Sequence, residues 1–239
     1  MSHHLSACVA SHFLYDQILI INMNINNLTA SVFNKLRLRL TLPLPGENAQ
    51  FKMAPQNRLA MHEYHDLASR NPQRSAVLIC LFPGEHYIST LLMLRPDEKG
   101  AHSGQISFPG GKYEEQDADL QATALRESRE EVGIEPETVT VLGAMTPLYI
   151  PVSNYLLQPF LATLEVKPDW KRNDQEVKQI IETDLRLLRD HSLKHQGIFS
   201  GWKGMQINAP YYNLYGHKVW GATAMMLSEL EHLLQDTAL

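Results

Sequence analysis

The chain has 239 residues, of which 44% are hydrophobic, and it is therefore long enough to bury the core of one large globular domain. Its formal net charge of −5 excludes a general attraction to nucleic acid or to an anionic membrane surface, so we expect neither as a partner. Two cysteines, Cys8 and Cys80, are too few for a disulfide framework, which predicts a reducing, cytoplasmic location.

The N-terminal part of the chain is predicted to lie outside the main domain. The apolar patch in the first 25 residues is too short to span a bilayer and carries Asp16. A turn-rich run, TLPLPGENAQ, then ends at residue 50. We therefore predict an N-terminal extension over 1–50 and a single domain over 51–239.

The first part of that domain shows one helical pattern and then two strand patterns. Residues 58–70 have apolar positions at helical spacing and stop at an Asn-Pro pair, which predicts a helix. The runs AVLICLF, residues 76–82, and HYISTLLMLR, residues 86–95, predict two buried strands. Pro83 and Gly84 lie between them and predict a tight turn.

Strands dominate the middle of the chain, and helices flank them. ISFPGG, residues 106–111, predicts a strand fragment, and the next helix is predicted to begin at an N-cap, Asp117 or Asp119, and to end at Gly133. The later segments predict, in order, the strands VTVLGAM and YLLQPFLATLEV, the helix EVKQIIETDLRLLRD, the strand PYYNLYGHKVW and the helix GATAMMLSELEHLLQD. The expected fold class is α/β, with a mixed sheet covered by helices.

Three glutamates crowd one face of the helix that precedes Gly133. At about 100° per residue, Glu127, Glu130 and Glu131 fall within an arc of about 100°. The like charges at i and i+4 cost the helix about 0.2–0.5 kcal/mol. A divalent cation removes this conflict, because Mg²⁺ prefers hard oxygen ligands and is held by a few carboxylates together with substrate phosphates. The pattern therefore indicates a site for a metal ion and a diphosphate.

The segment GGKYEEQDADLQATALRESREEVGI, residues 110–134, resembles the Nudix box, Gly-x5-Glu-x7-Arg-Glu-U-x-Glu-Glu-x-Gly-U, in which U is a bulky aliphatic residue. Its second half is in register from Arg126 to Ile134, although Ser128 replaces one aliphatic position. The first glutamate position falls on Ala118, directly after Asp117, so the loop has one extra residue.

The resemblance implies an α/β/α sandwich, called the Nudix fold, and a pyrophosphohydrolase that acts on nucleoside diphosphates linked to another group. Its motif positions imply that Glu127, Glu130 and Glu131 bind Mg²⁺ or Mn²⁺. They also imply catalytic roles for Glu130 and Glu131, with Arg126 orienting a glutamate.

The upstream segment LLMLRPDEKGAHSGQISFPGG, residues 91–111, is similar to the signature of the coenzyme A pyrophosphatase branch of this family. That likeness implies hydrolysis of coenzyme A or acyl-CoA to 3′,5′-ADP and (acyl-)4′-phosphopantetheine. It assigns substrate binding to Arg95, Lys99, Gly110 and Gly111. Gly100 stands where the signature has a second arginine, and Lys99 or His102 could replace that cation.

A fourth carboxylate is often needed late in such domains as a metal ligand or a base. Glu176 and Glu182 are the two candidates, and we favour Glu176 as a further catalytic residue. Two other functions stay open: a pyrophosphatase acting on ADP-ribose, NADH or another nucleoside diphosphate derivative, and a Nudix-fold binding module without turnover. The partner expected in either enzyme is a small nucleotide substrate, and a homodimer is left open.

Overall fold

The computed structural model describes residues 27–56, 58–64, 66–85, 87–97, 104–201, 204–235 and 237. Within this part of the chain the helices are α1 (27–39), α2 (Glu47–Gln50), α3 (Leu120–Val132) and α4 (Gly221–Leu233). The strands are β1 (Gln73–Pro83), β2 (Ile88–Leu94), β3 (Ile106–Ser107), β4 (Gly110–Lys112), β5 (Thr140–Ala144), β6 (Leu148–Ile150), β7 (Tyr155–Thr163), β8 (Gln179–Asp184), β9 (Lys194–Ser200), β10 (Gln206–Leu214) and β11 (His217–Trp220).

Eight of the described strands form one mixed sheet. Its main order is β3-β2-β1-β7-β5, with β8 paired to β2, β4 to β1 and β6 to β7. β1 runs parallel to β7 and antiparallel to β2 and β4. The predicted hairpin between the first two buried strands is confirmed, since Pro83 pairs with Ile88. The last three strands form a small antiparallel sheet, β11-β10-β9.

Helices cover both faces of the mixed sheet, as the alternation along β1 requires. Ile79 and Leu81 lie in the core cluster that includes residues of α1 and α4. Leu78 and Cys80 lie in a second cluster, which includes Ala124 of α3. A strand buried on both faces reads as a continuous apolar run. The expected α/β/α sandwich is therefore confirmed.

Three predicted elements differ from the structure. The helix predicted over 58–70 is a short 3₁₀ helix, Met61–Glu63, followed by turns. The helix predicted over 176–190 is strand β8 followed by the 3₁₀ helix Leu185–Arg189. Pairing of β8 with the buried strand β2 overrides its local helix propensity. The single strand predicted over 210–220 is a hairpin of β10 and β11.

Residues 27–50 pack onto the domain. Val32 and Leu36 of α1 are fully buried. The buried Glu229 of α4 accepts hydrogen bonds from Gln50 Nε2 at 2.9 Å and Thr146 Oγ1 at 2.6 Å. The boundary predicted at residue 50 stays a prediction, and residues 1–26 lie outside the described residues.

We expect Glu229→Ala to lower the free energy of unfolding by about 3 kcal/mol, because it leaves buried donors without an acceptor. Urea denaturation measures this loss. Glu137→Ala is the control, since Glu137 is exposed and such substitutions stay within about 0.5 kcal/mol. Equal stability of the two variants would contradict the buried role of Glu229.

None of the described helices has both the length and the apolar composition needed to cross a membrane.

Candidate active site

Helix α3 is fixed at both ends by residues that the sequence indicated. Asp119 is the N-cap, and its side chain accepts from Ala122 N–H at 2.8 Å. Gly133 ends the helix in the left-handed conformation, with φ of 75°. A Cβ there would lie 2.6 Å from Lys171 Cβ, so both backbone and space require glycine. The two caps therefore fix the ends of α3, and its glutamates lie beside β4.

Glu131 is the most buried of the three glutamates, with 1% of its surface exposed. Its Oε2 accepts from Gly110 N–H at 2.8 Å, and its Oε1 lies 3.9 Å from Arg95 Nη1. Burial raises the pKa of Glu131 to about 8, although Gly110 and Arg95 oppose the shift. Two residues of the upstream signature thus contact the motif helix directly.

Glu127 lies against Gly111, where any Cβ would clash with its carboxylate. Burial also raises the pKa of Glu127, while the neighbouring Arg126 lowers it. Gly111 therefore leaves the space that this carboxylate occupies. At Gly110, with φ of 149°, a Cβ would collide with the backbone of Ala76 and Val77, so this position requires glycine. A side chain at Gly111 would instead displace the carboxylate of Glu127.

Glu176 lies close to the buried Glu131 and the half-buried Glu127. One carboxylate oxygen each from Glu127, Glu131 and Glu176 lie within 4.8 Å of one another. The loop carrying Glu176 is held by the end of α3, because Asn173 N–H donates to the Glu131 carbonyl at 2.9 Å and Lys171 N–H to the Val132 carbonyl at 3.0 Å. We call Glu127, Glu131 and Glu176 the carboxylate cluster.

The other two acidic candidates lie apart from this cluster. Glu130 is half exposed and forms an ion pair with Arg126 at 3.2 Å. Glu182, the alternative to Glu176, accepts from Trp170 Nε1 at 2.7 Å and pairs with Lys167 at 2.7 Å. Glu182 is thus occupied by a separate structural contact. Lys99, Gly100 and His102 lie outside the described residues.

Arg126 connects the helix to the loop before it. Its Nε and Nη2 donate to the two carboxylate oxygens of Asp117 at 2.8 and 3.0 Å. Its Nη1 contacts Glu127 Oε1 at 3.0 Å, and its Nη2 donates to the Lys112 carbonyl at 3.1 Å. Arg126 therefore holds one member of the carboxylate cluster from the side.

Asp117 is the positioning residue that the sequence did not assign. It is buried, and besides binding Arg126 it accepts from Thr123 Oγ1 at 2.8 Å and Glu114 N–H at 3.0 Å. The bond from Arg126 is the main reason that the pKa of Asp117 falls to about 2. The available signal was its place directly before Ala118, where the motif has glutamate.

The carboxylate cluster fits a divalent cation. Its three oxygen donors are hard ligands, and their mutual repulsion adds to the burial that raises the pKa values of Glu127 and Glu131. A bound cation would offset both the mutual repulsion of the carboxylates and the cost of burying their charge. Glu176 is exposed, which leaves the cluster open to solvent on one side for water and substrate oxygens.

A cleft of about 660 Å³ opens beside the cluster. Arg95, Gly110 and Gly111 line it, and these are the residues that contact Glu131 and Glu127. The loop after β6, the small sheet and the first residues of α4 add mainly apolar side chains to its lining, and Arg58 and Lys112 add two further cations. The cleft can therefore hold a small molecule that is much larger than a diphosphate.

Comparison with known proteins gives the family. The NUDIX domain family profile matches residues 72–196. The Nudix hydrolase 15, mitochondrial, of Arabidopsis thaliana is 33% identical over 166 aligned residues, covering 65% of this chain and 56% of that protein. The uncharacterized Nudix hydrolase NudL of Yersinia pestis (strain Pestoides F) is 32% identical over 195 residues, covering 77% of this chain and 88% of that protein.

Among solved structures, a MutT/nudix family protein from Enterococcus faecalis gives a TM-score of 0.48 at 13% identity, covering 76% of this chain and 71% of that one. The chain spans little more than half the length of the plant relative. The profile match and the bacterial relative show that the chain belongs to the Nudix hydrolase family.

Proposed function

We propose that this protein hydrolyses the diphosphate bond of coenzyme A or acyl-CoA, giving 3′,5′-ADP and (acyl-)4′-phosphopantetheine. One observation carries the proposal: Arg95 and Gly110, both from the segment similar to the coenzyme A branch, contact the buried Glu131 of the Nudix helix. This contact supports a single site for substrate recognition and hydrolysis, and the cleft beside it has room for the rest of the substrate.

Glu127, Glu131 and Glu176 would hold Mg²⁺ or Mn²⁺, which offsets phosphate charge and lowers the pKa of a bound water. Arg126 orients Glu127, and Gly110 N–H orients Glu131. Arg95, which lines the cleft, supplies a cation for the substrate phosphates. Glu130 stays a predicted ligand that shares Arg126 with Glu127.

A second candidate keeps the chemistry and changes the substrate. Coenzyme A differs from most adenine dinucleotides by a 3′-phosphate, and the arginine expected for it is Gly100 in this chain. This replacement favours ADP-ribose, NADH or another nucleoside diphosphate derivative as the substrate.

Product analysis separates the two candidates. Purified protein with Mg²⁺ or Mn²⁺ is incubated with coenzyme A and, in parallel, with ADP-ribose, and the products are identified by chromatography. We expect 3′,5′-ADP from coenzyme A, and faster than AMP from ADP-ribose. Cleavage of ADP-ribose without release of 3′,5′-ADP from coenzyme A would refute the proposal and support the second candidate.

A further inference from the structure

The small sheet forms an apolar wall of the cleft. Three residues of this region line the cleft: Met205 in the loop before β10, Ile207 in β10 and Trp220 in β11. We call these three residues the apolar wall. Met205 is 63% exposed, although its side chain is hydrophobic. Trp220 stacks on Phe199, with ring centroids 4.4 Å apart and an interplanar angle of 11°. The wall thus combines a packed aromatic surface with an adaptable thioether.

This wall is tied to the rest of the domain. Lys194 of β9 pairs with Glu231 of α4 at 2.7 Å, and Tyr212 Oη donates to the same carboxylate at 3.0 Å. Thr223 Oγ1, in the first turn of α4, donates to the Ile106 carbonyl of β3 at 2.8 Å. The small sheet is therefore held in place beside the strands that lead into the phosphate end of the cleft.

The chemistry of the wall does not match the polar parts of a nucleotide. A diphosphate needs cations and N–H donors, and an adenine needs hydrogen-bond partners at its edges. Met205 and Ile207 supply neither. Ile150 and Val152, in and after β6, add further apolar lining to the same cleft. The cleft is continuous from Gly110 and Gly111 to these side chains, so one bound molecule would meet both.

We infer that the apolar wall binds the acyl chain of an acyl-CoA substrate and makes the enzyme select acyl-CoA over free coenzyme A. This inference rests on the proposed function and adds the residues that determine its specificity. The acyl chain is buried against Met205, Ile207 and Trp220, out of contact with water, while the diphosphate lies at the carboxylate cluster. Each methylene placed in such a site adds to the binding of the transition state.

The test measures kcat/KM for octanoyl-CoA and for free coenzyme A, and its readout is the ratio of the two values. The variant is Met205→Gln combined with Ile207→Thr, which keeps side-chain size at an exposed position and β-branching in a strand. The control is Ile198→Gln on β9. Ile198 is 71% exposed and does not belong to the described residues that line the cleft.

We expect kcat/KM for octanoyl-CoA to be roughly ten times that for free coenzyme A in the natural protein and in the control. In the double variant this ratio should fall to about one. The fall should come mainly from a lower kcat/KM for octanoyl-CoA, since the diphosphate end of the cleft is unchanged. An unchanged ratio in the double variant, or an equal loss with both substrates, overturns the inference alone. Cleavage of neither substrate overturns the proposed function as well.

Discussion

Glu131→Gln is expected to lower kcat for diphosphate hydrolysis by about a thousandfold, which corresponds to about 4 kcal/mol of transition-state stabilisation. The reason is that glutamine removes the charge of the buried member of the carboxylate cluster and yet can still accept from Gly110 N–H. Steady-state kinetics with coenzyme A at saturating Mn²⁺ measures the loss. Glu137→Gln, an exposed change, should leave kcat within about twofold.

The stability of the same variant distinguishes lost chemistry from lost folding. The pKa of Glu131 is about 8 in the folded protein against 4.5 for the free side chain, so the folded protein holds this proton more tightly. The free energy of unfolding of the metal-free protein should therefore fall as pH rises from about 4.5 to about 8. In Glu131→Gln the free energy of unfolding should depend less on pH over this range. An identical pH dependence in urea denaturation would contradict the buried position of this carboxyl.

The variant Glu130→Gln decides between two ligand sets. The motif implies that Glu130 binds the metal, whereas the structure places Glu176 beside Glu127 and Glu131. A loss of about a thousandfold assigns Glu130 to the metal, and a loss of about tenfold or less assigns that place to Glu176.

The second large effect concerns Asp117. Asp117→Ala leaves the guanidinium of Arg126 without its bidentate partner, and breaking a buried pair in this way costs about 3 kcal/mol of stability. The displaced Arg126 no longer orients Glu127, so we expect kcat to fall by about ten- to a hundredfold with little change in KM. Thermal unfolding and steady-state kinetics measure the two effects.

An exposed ion pair at the C-terminal end of α3 is the matched control for Asp117. Glu135 pairs with Arg129 at 3.2 Å, and both side chains are well exposed. Glu135→Ala should cost at most about 1 kcal/mol and leave kcat unchanged. If Asp117→Ala lost stability but kept its kcat, Asp117 would have a structural role only.

The sequence predicted the parts of the site that depend on local chemistry. Helix propensity, the Asp119 N-cap and the Gly133 C-cap place α3 correctly, because all three act within a few residues. The two buried strands and their turn were predicted for the same reason. The crowding of Glu127 and Glu131 on one face followed from helix geometry alone.

Parts that depend on distant contacts were missed or left open. The local sequence of β8 favours a helix, and pairing with β2 makes this segment a strand. The sequence alone therefore does not show that Glu182 lies on a strand and Glu176 in the loop before it. The role of Asp117 was hidden by the extra residue in its loop. The small sheet and its apolar wall need the pairing of three strands, which no single segment shows.

The loop that carries Glu176 is attached to α3 through main-chain atoms, since the carbonyl groups of Val132 and Glu131 accept from Lys171 and Asn173. Side-chain replacement cannot delete these bonds, apart from proline at the donor positions. The exposed side chain of Lys171 could therefore be varied to change the charge around the cluster while Glu176 stays in place. For protein engineering, this separates the electrostatics of the site from its geometry.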